Sequence, residues 1–144
     1  MALQQELLKN VYWAFYQKFD SQEEFEEALI EYNDTPTRRL PQLDKIVLPV
    51  PKVVIQYLWV PMMDEEDTVD EDEDRQYVIE TDNPGGFTVG EFMYLINQGA
   101  CTPQNNSEYD LSDQDHHFFE GLEYLTADDP DYPGLPVYYM ILGS

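Results

Sequence analysis

The sequence predicts an α+β domain: a small, mostly antiparallel four-stranded sheet with packed helices, in the order α-α-β-β-α-β-β. Three observations lead there. Three stretches carry apolar residues at helical spacing, and two of them open on N-cap chemistry. Four runs rich in β-branched and aromatic residues, at 52–60, 76–80, 117–125 and 137–142, read as strands. Proline, glycine and acidic residues punctuate the connections. Residues 1–144, with 42% hydrophobic and 14% aromatic content, suffice for a single domain with its own core and are too apolar to remain disordered.

Leu3, Leu7, Leu8, Val11, Phe15 and Phe19 recur at helical spacing and predict a first helix over roughly residues 2–19. Ser21 is a good N-cap, and Glu24 completes a capping box for a second helix with Phe25, Ala28, Leu29 and Tyr32 on its apolar stripe. Pro36 and Pro41 end it and open a linker holding Arg38, Arg39 and Lys45. The run 52–60 reads as a buried strand that Pro61 stops, and 76–80 reads as its neighbour in an antiparallel hairpin. Asn83, Pro84, Gly85 and Gly86 form a turn. Thr88, Glu91 and the Phe87/Phe92 pair then mark a helix start by N-cap, capping box and hydrophobic staple, with Gly99 as a C-terminal stop. Residues 100–114 read as polar loop, and an acidic turn over 127–134 joins the last two strands. There is no internal repeat.

Charge is the anomaly. Net charge is −23, with nine acids and six bases in residues 1–52 but twenty-one acids and one base, Arg75, in residues 53–144. Nine of the eleven residues from 64 to 74 are carboxylates. Mutual repulsion makes that run an exposed, solvated loop between strands rather than a core element, and one whose shortening leaves the fold intact.

Several chemistries lack their signatures. The acidic run has no glycine for a calcium-binding turn. His116 and His117 are adjacent, and on a strand they point to opposite faces rather than converging on one ion. Cys101 is the only cysteine, so the chain forms no internal disulfide, and nothing in its sequence context marks an activated nucleophile. No glycine-rich phosphate loop or Gly-x-Ser-x-Gly is present, so no cofactor, metal or enzymatic activity is expected. The charge opposes nucleic acid and anionic membrane surfaces as partners. With no spanning segment or leader pattern, a cytoplasmic location is expected.

What remains is recognition of a basic protein by an acidic, aromatic-bearing surface. The stretch Asp115, His116, His117, Phe118, Phe119, Glu120, Gly121 and Leu122, with the ending from Tyr138 to Ser144, resembles immunity proteins of bacterial polymorphic-toxin and contact-dependent growth inhibition systems. The resemblance spans roughly the second half of the chain. It implies neutralisation of a cognate toxin, such as a nuclease, and carries over no binding residue. The alternative is a DNA mimic or anti-restriction protein that fills the groove of a DNA-binding protein. The candidate contact residues are Asp64, Glu65, Glu66, Asp67, Asp70, Glu71, Asp72, Glu73 and Asp74 in the run. Tyr109, Asp110, Tyr124, Asp128, Asp129, Asp131 and Tyr132 join them from the later acidic stretches, the tyrosines as anchors or core residues.

Overall fold

A computed structural model describes residues 3–9, 11–34, 42–59, 73–103, 109–114 and 117–143. In chain order they form β1 (Glu6–Leu7), β2 (Trp13–Ala14), α1 (Gln22–Tyr32), β3 (Ile46–Leu48), β4 (Lys52–Trp59), β5 (Glu73–Glu80), β6 (Phe87–Thr88), α2 (Val89–Ala100), a 3-10 turn (Leu111–Asp113), β7 (Phe118–Thr126) and β8 (Val137–Gly143). The class is α+β, but the sheet is not the small, mostly antiparallel four-stranded one expected. The described residues hold two α-helices and eight strands, in a six-stranded mixed sheet of order β1-β7-β8-β4-β5 and a separate β3-β6 pair. β2 also pairs with β7. The main sheet is mixed because β8 runs parallel to β4, Val54 opposite Val137 and Ile55 opposite Tyr138.

The expected first helix is the largest correction. A helix that turns Val11 and Phe15 inward carries Trp13 about 200° away from Val11, on the outer side. Yet Val11, Trp13 and Phe15 are all buried, at steps of two that an extended chain places on one side, while Tyr12 and Tyr16 are exposed and the small Ala14 is buried against β7 on the other side. Side-chain amides supply the hydrogen bonds a helix would have made internally. Asn33 accepts from the Tyr12 N–H (3.0 Å) and donates to the Tyr12 carbonyl (2.8 Å). Asn97 accepts from the Trp13 indole (2.9 Å) and donates to the Gln17 carbonyl (3.0 Å). Gln98 closes a similar pair with the Phe19 backbone at 3.0 and 3.1 Å. Leu8, at φ 58, turns the chain between β1 and β2. Gly121 lets β7 bulge there, since its φ of 121 suits glycine and a Cβ would meet the Lys9 backbone at 3.2 Å.

Both later helices start where their caps indicate. Ser21 Oγ accepts from Glu24 N, and Thr88 Oγ1 accepts from Glu91 N, each at 3.2 Å. Phe87 and Phe92 meet at 5.1 Å between ring centroids, the staple. Gly99 is not a stop, because α2 continues through Ala100 and ends on Cys101 as C-cap. The glycine instead allows close packing: any Cβ there would strike the Tyr77 ring, whose hydroxyl donates to the Ile96 carbonyl at 2.9 Å.

β4 and β5 pair antiparallel along their full lengths, from Lys52 opposite Glu80 to Trp59 opposite Glu73. Val53, Ile55, Tyr57 and Trp59 join Tyr77, Ile79, Tyr138, Met140, Phe119 and Leu122 in the core beneath the helices. Glu73 and Asp74, expected in the acidic loop, belong to β5: their backbones extend the ladder while their side chains remain in water. The rest of the acidic loop, residues 64–72, lies outside the described residues. No helix among the described residues is long and apolar enough to cross a membrane.

Asn97→Ala leaves the buried Trp13 indole N–H and the Gln17 carbonyl without partners. It is expected to lower unfolding free energy by about 2–4 kcal/mol in urea denaturation. A loss below about 0.5 kcal/mol, the size of an ordinary surface change, shows that these amides do not hold the N-terminal segment extended.

Candidate partner-binding surface

Strand alternation gives the sheet two unlike faces. The helices cover the face of Ile55, Tyr57, Tyr77 and Tyr138. The other face carries Gln56 and Leu58 of β4, Asp74, Gln76, Val78 and Glu80 of β5, Tyr139 and Ile141 of β8, and Glu123 of β7, with Val54 on the same side but fully buried. Leu58 and Leu125 are exposed, and no described helix lies on this side. The 127–136 turn folds along it. Gln76 Nε2 donates to Asp129 Oδ2 (2.7 Å) and to Gln56 Oε1 (2.9 Å), so the loop is tied to the middle of the sheet. Asp129 Oδ1 also accepts from Asp131 N at 2.9 Å, which fixes the turn that bears the exposed Asp128 and Asp131. Asp74 raises the pKa of the Tyr139 phenol, secondary to the effect of burial, so this carboxylate and this ring belong to one surface. Two lysines border the face. Lys9 pairs with Glu123 at 3.1 Å, and Lys52 stands opposite Glu80 at the far end.

The edge of this face is open in its hydrogen bonding. Thr81 N donates to the Pro51 carbonyl at 2.9 Å, and the register from there pairs the backbones of residues 79, 77, 75 and 73 with β4. The N–H and C=O groups of Asp74, Gln76, Val78 and Glu80 therefore point away from the sheet, along an edge that pairs with no described strand.

Arg75 explains why no positive charge from the second half joins this surface. It is 5% exposed, with its guanidinium 4.0 Å over the Trp59 ring and Nε and Nη2 each 2.7 Å from Glu73 Oε1. Among the described residues, its Nη1 and the Trp59 Nε1 find no hydrogen-bond partner. Burial pushes the neighbouring Tyr57 phenol up to about 12, although the Arg75 charge and hydrogen bond pull it down.

The sequence candidates do not form one cluster. Asp74, Asp128, Asp129, Asp131 and Tyr132 gather on the open face and its turn. Glu73 is bound to Arg75 at the end of the sheet. Asp110 caps the 3-10 turn, accepting from Ser112 N at 2.8 Å, and its charge reaches Tyr57 and Cys101 on the helix side. Tyr109 packs against the core. Tyr124 is also on the core side, edge-on to Tyr138 at 5.6 Å. Asp64, Glu65, Glu66, Asp67, Asp70, Glu71 and Asp72 lie outside the described residues. Gln56, Gln76 and Tyr139 were missed, although alternation from the buried Ile55 and Tyr77 would have put them on the open face.

Of the two histidines, His117 stacks on Phe118 (4.6 Å) and meets Tyr16 (5.0 Å), with Nδ1 at the Gln114 carbonyl. His116 is outside the described residues. Among the described residues, no three His, Cys, Asp or Glu side chains are grouped to hold a metal ion. Burial, then the Asp110 charge, pushes the Cys101 thiol up to about 12.

These shifts make stability depend on pH on the alkaline side. Folded pKa values for Cys101, Tyr57 and Tyr138 stand near 12, against ordinary values of 9.0 for the thiol and 10.0 for the phenols. The neutral forms are favoured in the fold, so their contribution is intact below about pH 9 and is lost as pH rises toward 12. Unfolding free energy measured in urea is expected to fall through that window, less steeply in Tyr57→Phe. Equal slopes in Tyr57→Phe and the parent contradict the assignment to Tyr57.

No family model matches the chain, and neither characterised proteins nor solved structures show a match to it.

Proposed function

We propose that this chain is an acidic recognition protein of the immunity type, which binds a basic toxin domain in the cytoplasm and neutralises it. One observation carries the reading. The single base among residues 53–144 is buried under Trp59 and Glu73, so the surface of that half carries carboxylates with no basic residue of its own. A net charge this negative destabilises the compact state by self-repulsion, and burying the one available cation forgoes its relief at the surface. That arrangement suits a surface built to attract positive charge. The open face also offers apolar contact at Leu58, Leu125, Ile141 and Tyr139, which steering charges need beside them for affinity.

The acidic groups speed encounter, and the apolar and aromatic groups hold the complex. The toxin partner is identified by capture followed by a stoichiometric addition that abolishes its activity. With the purified pair, association is expected to slow steeply as salt rises past the point where the Debye length is about 8 Å, with dissociation little changed. Replacing Asp74, Asp128 and Asp131 together by Asn should lower the association rate by roughly ten-fold at low salt and leave dissociation within about two-fold. A captured DNA-binding protein that is displaced from its DNA would establish mimicry instead. An acidic partner, or an association rate flat in salt, overturns both readings.

A further inference from the structure

At the opposite edge of the sheet from β5, a cleft of about 320 Å3 opens between β2, the end of α1 and the β7-β8 ends. Its walls are aromatic: Tyr12, Trp13, Tyr32 and Phe118. Trp13 is fixed in place, edge-on to Tyr32 at 5.4 Å and to Phe25 at 5.0 Å, with its indole N–H held by Asn97. Tyr12 and Tyr32 keep 40% and 37% of their surface exposed. One carboxylate completes the lining. Glu120 folds across Gly143, where any Cβ would collide with it, so the glycine leaves the acid room at the cleft.

From this geometry we infer that the cleft is a socket for an arginine side chain of the basic partner. The inference rests on the reading above and names one of its contacts. Aromatic faces attract a cation through the ring quadrupole, and a planar guanidinium can stack on a ring while its edge donates to a carboxylate. A plain apolar side chain would waste the Glu120 charge, and an anion would be repelled by it. The overall charge of −23 favours the same sign of ligand. Tyr12 stands outside any acidic stretch, and Tyr32, beside Glu31, reads in the sequence as part of a helix's apolar stripe, so neither is marked as a contact residue.

The two tryptophans supply the readout, because Trp13 lines the cleft and Trp59 is buried under Arg75. The peptide Ac-Gly-Arg-Gly-NH2 is titrated into the 15N-labelled protein at 0.15 M salt, with the norleucine peptide as the uncharged control. The expected result is a saturable shift of the Trp13 indole signal alone, absent with norleucine and weakened about five-fold or more in Glu120→Gln. Glu120 is exposed, so that variant keeps its core. The inference is overturned by no shift, by an equal shift with norleucine, by equal movement of both indoles, or by an unchanged affinity in Glu120→Gln. Failure of the partner-binding reading looks different. It shows in the capture and salt experiments, whereas a salt-steered partner whose affinity ignores Glu120→Gln leaves that reading standing and removes the socket.

Discussion

Arg75 sits opposite Tyr57 in the β4-β5 ladder, with its guanidinium against the Trp59 ring and its inner edge on the Glu73 carboxylate. Burying a charge costs several kcal/mol unless it is paired and hydrogen-bonded, and among the described residues Glu73 pairs with Nε and Nη2 while Nη1 finds no acceptor. A chain with twenty-one acids and one base beyond residue 52 would gain most electrostatic relief by leaving that base in water. Its retention inside fixes the end of the sheet where β4 stops and β5 begins. It also leaves the outer surface of the second half without a base of its own, with Lys9 and Lys52 from the first half at its border. Architecture and surface charge thus depend on the same contact.

The open face is built from the consequences. Once Ile55, Tyr57, Tyr77 and Tyr138 point toward the helices, strand alternation sends Gln56, Leu58, Asp74, Gln76 and Tyr139 the other way. The Gln76 to Asp129 bond then brings the acidic turn onto the same side. Acids distant in sequence, Asp74 and Asp129, come to lie on one surface with exposed leucines and a half-buried tyrosine between strands. The aromatic cleft lies at the other edge of the sheet, where β2 crosses β7.

Local chemistry was legible in the sequence, and long-range pairing was not. Ser21 and Thr88 cap their helices, and Phe87 meets Phe92, because a cap and a staple involve residues within one turn. The N-terminal segment was ambiguous. Leu7, Val11 and Phe15 fit both a period of four and every second step of a period of two, and only the burial of Trp13 separates the cases. The amides that decide it, Asn33, Asn97 and Gln98, lie as much as 84 residues from their partners. The parallel contact of β8 with β4 likewise leaves no local trace. Of the tyrosine anchors, Tyr124 lies on the core face and Tyr132 within the 127–136 turn, since sequence neighbours in acid cannot say which face of a strand a ring occupies. The burial of Arg75 could not be anticipated, because a lone base among acids reads as a surface residue.

The central claim is that a basic partner meets the open sheet face. Hydrogen–deuterium exchange of the free protein and of its complex tests this most directly, since the amides of Gln76, Val78 and Glu80 point outward from the β5 edge. The account predicts slowed exchange on binding at these amides and through the 127–132 turn. Slowed exchange confined to α1 and α2, with the β5 edge unchanged, would contradict it.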